Sequence, residues 1–125
     1  MNERGRLCEE LVAQYLASEN YEIMARNYRC RGGEIDIIAR KDSVLCFVEV
    51  KSLSGRWTQD QLARMVDGKK RKCIQLTAID YLNKVYMQSR QLEGQNKVQL
   101  EGQFELRFDV ASVTGTNVAY YKGVF

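Results

Sequence analysis

The chain has 125 residues, of which 45% are hydrophobic and 28% charged, a composition typical of one soluble globular domain with a single core. It excludes fibrous and intrinsically disordered proteins. The net charge of only +3 permits an anionic partner without requiring one. We therefore expect one domain that spans residues 1–125.

The sequence contains no segment that predicts export or membrane insertion. No apolar run approaches the length of a membrane-spanning helix. The N-terminal residues MNERGRLCEE are charged and lack the apolar core of a secretory signal. We therefore expect a cytoplasmic protein with no membrane partner.

The chain has four cysteines and no histidine, which excludes several kinds of catalytic site. Ser-His-Asp and Cys-His nucleophiles cannot be assembled without histidine. The cysteines form no CxxC pair, so we expect reduced thiols packed as small apolar groups instead of structural zinc. Any catalysis must rest on carboxylates, lysines or a metal ion.

The first third of the chain predicts one helix followed by three strands. RLCEELVAQYLASENY has the apolar spacing of an α-helix. YEIMARNYR is typical of a strand, and Gly32 and Gly33 then predict a turn. Two apolar runs, GEIDIIAR and VLCFVEV, follow as a hairpin. The predicted helical stripe contains Leu7, Cys8, Leu11, Val12, Tyr15 and Leu16.

The remainder predicts two helices and two strands. Thr58 with Gln61 resembles a capping box that begins a short helix to about Val66. Gly68 interrupts it, and a long helix follows over 69–89. QLEGQNKVQLEGQ is predicted to be a polar loop. FELRFDVASV and NVAYYKGVF are predicted strands around a TGTN turn. This order predicts an α/β domain with a mixed sheet.

The hairpin contains a pattern of charges that depends on its register. If the turn is the pair at 42–43, Asp36 lies opposite Glu49 and Glu34 lies opposite Lys51. A loop of odd length would instead put Asp36 and Glu49 on opposite faces of the sheet.

Two opposed carboxylates are destabilising unless water, a shared proton or a cation neutralises them. Their apolar neighbours argue against full exposure. Mg²⁺ or Mn²⁺ suits such a site, because these ions accept one or two carboxylates together with water and phosphate oxygens. Lys51 could then orient an attacking water or stabilise phosphate charge. The alternative is a Glu34–Lys51 ion pair, with Asp36 and Glu49 in water at a strand end.

Asp36, the hairpin turn and then Glu49-Val50-Lys51 resemble the PD-(D/E)xK nuclease motif. The segments EELVAQYL, ARNYR, GGEIDIIAR, FVEVK and RFDV further resemble the YraN family of small bacterial proteins, which is similar to archaeal Holliday junction resolvases. The resemblance implies a restriction-endonuclease-like fold, with a central mixed sheet flanked by helices. It also implies a metal-dependent nuclease acting on DNA, with branched or structured DNA among its substrates, and a possible homodimer.

The resemblance assigns the site residues by their positions. Asp36 and Glu49 would be metal ligands and Lys51 the catalytic lysine, while Glu9 and Glu34 would complete the catalytic set. Helical geometry supports Glu9, because it lies at the edge of the apolar arc of the first helix. A solvated glutamate beside that arc is the alternative.

Four adjacent cations begin the long helix. Because they spread around the helix, some must face solvent, and a basic patch beside carboxylates suits a binder of the phosphate backbone. An ordinary solvated helix start is the alternative reading. The predicted nucleic-acid-binding residues are Lys69, Lys70, Arg71 and Lys72.

Three further positions bear on function. Leu53 stands where the family usually has an arginine, which favours a second hypothesis: a nucleic-acid-binding protein with the nuclease scaffold and little or no catalysis. Trp57 is either a core residue or a base-stacking surface. Arg107 and Asp109, in RFDV, are expected to support the sheet.

Overall fold

The computed structural model describes residues 2–54, 57–93 and 104–125, with side chains to residue 85 in the long helix. The helices and strands follow the predicted order. They are α1 (Glu3–Ser18), β1 (Glu22–Cys30), β2 (Gly33–Lys41), β3 (Val44–Ser52), α2 (Gln59–Met65), α3 (Gly68–Glu93), β4 (Glu105–Thr114) and β5 (Asn117–Tyr121).

The five strands form one mixed sheet in the order β1-β2-β3-β4-β5. β3 and β4 are parallel, and the other neighbouring pairs are antiparallel. α1 packs on one face of the sheet, and α2 and α3 pack on the other. This α/β arrangement agrees with the predicted fold class and is compatible with a restriction-endonuclease-like fold.

The N-terminal helix buries the predicted stripe with one exception. Cys8, Val12 and Leu16 are almost fully buried against the sheet, whereas Leu7 is 45% exposed. Leu7 was predicted to lie on the apolar face, and this was wrong. It precedes the buried Cys8 by one residue, about 100° around the helix, and this rotation turns its side chain toward solvent. Asn2 caps the helix by accepting a hydrogen bond from the Gly5 amide.

The β2–β3 hairpin has the two-residue turn on which the site prediction depended. Lys41 pairs with Val44, and the same register continues to Ile37 opposite Val48. Asp42 adopts a φ of 54°, as tight hairpin turns require and as Asp tolerates. The predicted register is therefore confirmed up to Ile37 and Val48.

The second half confirms the capping box and corrects two boundaries. The Thr58 hydroxyl accepts from the Gln61 amide at 3.1 Å, and the Gln61 side chain accepts from the Thr58 amide at 2.8 Å. Gly68 is the first residue of α3, not a break before it. The Asp67 side chain caps this helix by accepting a hydrogen bond from the Lys70 amide.

The second boundary is the C-terminal end of α3. Residues 91–93 of the predicted polar loop belong to this helix, because Gln, Leu and Glu are good helix formers that can extend its last turn. The remainder of that predicted loop, residues 94–103, lies outside the described residues.

Two further features of the described residues are the state of the thiols and the hydropathy of the helices. All four cysteines are free, and Cys8 and Cys46 are buried. Within the described part of the chain, no helix combines the length and the hydropathy needed to cross a membrane.

Candidate active site

The candidate site lies where β2 and β3 separate. The recorded β2–β3 pairing ends at Ile37 and Val48, one position before Asp36 and Glu49. Beyond this point, the Asp36 carboxylate accepts a hydrogen bond of 2.8 Å from the Val50 amide of β3. A side chain therefore bridges the two strands where the backbone ladder has ended.

A local irregularity in β1 and β2 accompanies this separation. Asn27 has a φ of 51°, in the left-handed region that is uncommon for residues other than glycine. Ile35 packs on the α2 and α3 face, whereas Ile37, two residues later, packs on the α1 face. The normal alternation of β2 is thus broken at Asp36, which changes the direction of its side chain.

Asp36 is half-buried in a small cavity shared with Glu9. The cavity has a volume of about 210 Å³, and Cys8, Val50 and Ser52 also line it. Burial, followed by the charge of Glu49, raises the pKa of Asp36 to about 7, with smaller contributions from Glu9 and Glu34. Asp36 therefore lies within electrostatic range of all three predicted partners.

Glu49 lies on the other face of the sheet and is neutralised by two lysines. It is 6% exposed and aligns with Val110 of β4, whose side chain packs against α2 and α3. Its Oε1 lies 2.8 Å from Lys70 Nζ and 3.4 Å from Lys51 Nζ. Burial disfavours the charge of Lys70, but the hydrogen bond to Glu49 and its charge raise the Lys70 pKa above its ordinary value.

This geometry corrects the predicted arrangement of the carboxylates. Asp36 and Glu49 were predicted to stand directly opposite each other on one face. Instead, Asp36 lines the cavity beside α1, and Glu49 points toward α3. The reason is the end of the strand ladder, which allows Asp36 to bond the β3 backbone. The two side chains remain electrostatic neighbours across the strand end.

Glu9 is buried as predicted and is held by residues of β1. It is 3% exposed. Its Oε1 accepts hydrogen bonds from Asn27 Nδ2 at 2.8 Å and from Arg26 Nε at 3.3 Å. The Asn27 Oδ1 atom is buried and has no hydrogen-bond partner among the described residues. Strand β1 thus holds the Glu9 carboxylate at the cavity that contains Asp36.

Glu34 lies apart from this cavity. Its carboxylate forms an ion pair of 3.4 Å with Arg29 of β1, not the alternative pair with Lys51, because β2 and β3 no longer run side by side there. Glu34 lines a separate cavity of about 350 Å³ with Lys69 and Lys70. Glu34 influences Asp36 through its charge, which makes the smallest contribution to the raised Asp36 pKa.

The four cations of the α3 start differ in their contacts. Lys70 bonds Glu49. Arg71 donates to the Val66 and Ala63 carbonyls at 2.9 and 3.0 Å, and so supports the end of α2. Lys69 and Lys72 are exposed, which confirms that part of the run faces solvent.

Two contributions to the site were missed or misread in the sequence. Lys70 was predicted as a contact for nucleic acid, not as a partner of Glu49, because no local pattern brings α3 to β3. Asn27 was not singled out, although an asparagine inside a strand is itself unusual and could have indicated an irregularity. At position 53, Leu53 packs into the core beneath α2 and α3.

The carboxylates of the site provide oxygen atoms of the kind that bind a hard divalent cation. Among residues whose side chains are described, no three Asp, Glu, Cys or His groups are arranged to hold a metal ion. Asp36 and Glu9 supply two carboxylates at one cavity, whereas Glu49 lies across the strand end, bonded to Lys70. This set fits Mg²⁺, which commonly takes one or two carboxylates and keeps several waters.

Comparison with known proteins identifies the family. A model described as "Uncharacterised protein family UPF0102" matches residues 8–113. A UPF0102 protein of Legionella pneumophila is 34% identical over 98% of this chain and 94% of its own length. A relative in Syntrophus aciditrophicus is 39% identical over 97% and 87%, and one in Geobacter metallireducens is 41% identical over 88% and 78%. The chain belongs to UPF0102, the YraN family.

Proposed function

We propose that this protein is a metal-dependent nuclease that hydrolyses phosphodiester bonds of DNA, including branched or structured DNA. The observation that carries the proposal is the cavity that Glu9 of α1 and Asp36 of β2 share, at the strand end beyond which Glu49 of β3 follows. The charges of Glu49 and Glu9 both contribute to the raised pKa of Asp36. A carboxyl group whose pKa is raised by burial and by neighbouring carboxylates is frequent at catalytic sites.

The proposed metal ligands are Asp36 and Glu49, with Mg²⁺ or Mn²⁺ as the ion, and the Glu49 carboxylate would have to turn from Lys70 toward Asp36 to bind it. The bound ion would act as a Lewis acid and stabilise charge on the phosphate oxygens. Glu9 lies in the same cavity as Asp36 and would hold water or add negative charge there. Glu34 would contribute at longer range, because it lies beside a different cavity.

Two lysines would act on the phosphate. Lys51 Nζ lies 3.4 Å from Glu49, so its ammonium would be close to a phosphate bound to an ion held by that carboxylate. There it would orient a water molecule and stabilise the developing negative charge. Lys70 is bonded to the same carboxylate and would supply a second cation.

The exposed cations of α3 would contact the DNA backbone. Lys69 and Lys72 are exposed, and Lys69 lines the cavity that also contains Lys70 and Glu34. Contacts of this kind position nucleic acid without reading its sequence. Arg71 is a weaker candidate, because two carbonyl groups already occupy its guanidinium.

The first test is a calorimetric titration of Mn²⁺ into the wild type and Asp36→Asn, with Asp42→Asn as the control. Asp42 is an exposed carboxylate in the β2–β3 turn, and Asn tolerates its backbone conformation. We expect the wild type and Asp42→Asn to bind the ion and Asp36→Asn to lose most of the affinity. Equal binding by all three would exclude Asp36 as a ligand.

The second test is cleavage of linear, nicked and branched DNA with Mg²⁺. We expect Asp36→Asn and Lys51→Met to lose at least about a hundredfold in rate, with unchanged circular dichroism spectra. Undiminished cleavage by either variant would contradict the proposed mechanism.

A nucleic-acid-binding protein with little or no catalysis is the second candidate. The observation that favours it is that Lys51 and Lys70 already neutralise Glu49, which leaves less net charge for a cation. On this candidate, Lys72→Glu weakens DNA binding, and Asp36→Asn leaves it unchanged or strengthens it. No cleavage of any DNA, together with salt-sensitive binding, would decide for this candidate.

A homodimer belongs to the same proposal, because cutting two strands of a junction requires two sites. Light scattering with and without branched DNA gives the mass directly. A monomer in both conditions would restrict the proposed activity to single-strand cleavage.

A further inference from the structure

A third cavity opens on the far side of the sheet from the α1 cavity. It has a volume of about 420 Å³, and its walls include Trp57, Ser112, Asn117, Ala119 and Tyr121. This volume lies within the range of small-ligand sites, about 300–1,000 Å³. None of these residues is part of the carboxylate site.

The strand register connects this cavity to the candidate active site. Lys51 of β3 aligns with Ser112 of β4, and Ser112 aligns with Ala119 of β5. Residues aligned across neighbouring strands point to the same face of the sheet. With strands about 4.8 Å apart, the cavity begins roughly 5–10 Å from Lys51. A nucleotide next to a phosphate at Lys51 could therefore reach it.

Trp57 is held in place at the edge of this cavity. Its indole Nε1 donates to the Ser54 carbonyl at 3.1 Å, and its own carbonyl lies 3.5 Å from the Tyr121 hydroxyl. The side chain is nevertheless 37% exposed. Because the indole N–H is occupied, the ring itself is the surface that Trp57 offers to a ligand.

We propose that this cavity binds one unpaired nucleobase of a DNA substrate, stacked on Trp57 and bordered by the Ser112 hydroxyl and the Asn117 amide. Aromatic stacking accepts any base, because every base has a π-face. A paired base inside a duplex cannot stack on a side chain without unpairing. The site therefore selects single-stranded or branched DNA. The inference rests on the proposed function for the phosphate contact at Lys51.

Trp57 is the chain's one tryptophan, so its fluorescence reports directly on this cavity. The experiment titrates a short oligothymidylate, and a duplex of equal length, into Asp36→Asn protein with EDTA, which prevents cutting. Fluorescence anisotropy of labelled DNA measures binding independently. We expect the oligothymidylate to quench Trp57 and the duplex to quench it much less.

Two variants test the cavity itself. Ala119→Leu fills it and keeps the indole, and Ala17→Leu makes the same change at an exposed position of α1. We expect Ala119→Leu to abolish the quenching and to weaken oligothymidylate binding about tenfold, whereas Ala17→Leu changes neither. Trp57→Phe should retain more affinity than Trp57→Ala.

The outcomes separate this inference from the proposed function. DNA binding without quenching, unaffected by Ala119→Leu, overturns the base site and leaves the nuclease proposal standing. Quenching that Ala119→Leu abolishes, in a protein that cuts no DNA, supports the base site and overturns the nuclease. Absence of binding to either DNA overturns the base site, and the cleavage assay with Mg²⁺ decides the nuclease proposal separately.

Discussion

The described part of the chain contains two buried groups of acidic and basic side chains, and they differ in how their charges are balanced. Asp109 of β4 is fully buried and accepts hydrogen bonds from Arg107, the Tyr120 hydroxyl and the Gly123 amide. Asp36 is half-buried, bonds the Val50 amide and lies among other carboxylates. The first group joins β4 to β5 and to the C-terminal residues, which agrees with the predicted structural role of Arg107 and Asp109.

The pKa values reflect this difference. Burial disfavours the charge of Arg107, but its hydrogen bonds to Asp109 and Tyr21 raise its pKa above the ordinary value. Burial and the Asp109 charge raise the pKa of Cys46 to about 12. For Asp36, both burial and neighbouring charges oppose ionisation. A buried carboxylate with a cationic partner stabilises the fold, whereas one among like charges is retained at a cost, as functional sites often are.

The largest expected effect comes from breaking the balanced group. Asp109→Ala leaves the partly buried Arg107 charge without its carboxylate and removes the acceptor of the Gly123 amide. We expect a loss of about 3–5 kcal/mol in the free energy of unfolding, measured by urea titration. Glu105→Ala, an exposed change on the same strand, should cost at most about 0.5 kcal/mol. Similar losses for both variants would contradict the contrast between the two groups.

Removing the charge of Asp36 should change the stability in the opposite direction. Since the pKa of Asp36 is raised from 3.8 to about 7, the folded state binds more protons than the unfolded state between these values. Stability therefore falls as pH rises through this range. Asp36→Asn should stabilise the metal-free protein by roughly 1–3 kcal/mol at about pH 8. The gain should vanish at about pH 3, below both pKa values, where both states are protonated.

Urea titrations in EDTA at both pH values measure this gain, and Asp42→Asn is the matched control. A gain for Asp36→Asn that is equal at both pH values would show that ionisation of Asp36 is not its cause.

The smallest expected effect on stability comes from removing Lys70, and it tests how this lysine acts on Glu49. Lys70→Met removes the 2.8 Å ion pair with Glu49, but Lys70 is partly exposed, so we expect a loss of only about 1 kcal/mol. Under the proposed function, Mn²⁺ should bind this variant several times more tightly, because Lys70 no longer competes for Glu49. Lys72→Met, an exposed change two residues away, should alter neither quantity. A weaker affinity of Lys70→Met for Mn²⁺ would argue against such competition.

Local sequence patterns predicted most of the fold. The order of helices and strands, the capping box at Thr58, the two-residue hairpin turn and the inward position of Glu9 are all found in the structure. Each depends on residues within a few positions of one another, where propensity and periodicity act. The boundaries of α3 were less accurate, because helix ends depend on weak local preferences.

The sequence predicted which residues lie near the candidate site, but it predicted their arrangement only in part. The register predicted Asp36 next to Glu49, and their charges do interact. The assumption of a regular ladder past Ile37 and Val48 was wrong, because the Val50 amide is satisfied by the Asp36 side chain instead of a neighbouring strand. A backbone amide inside a protein must donate a hydrogen bond, but the sequence does not show which group accepts the bond from Val50.

By itself the sequence determined which segments are helices and strands, the hairpin turn and the choice of carboxylates and lysines as the available chemistry. The tertiary structure alone decided that β3 and β4 are parallel, that Lys70 of α3 reaches Glu49, and that Lys51, Ser112 and Ala119 lie in one row. The physical reason is distance along the chain. Local propensities act over a few residues, whereas these contacts arise only when distant segments pack to bury their apolar faces.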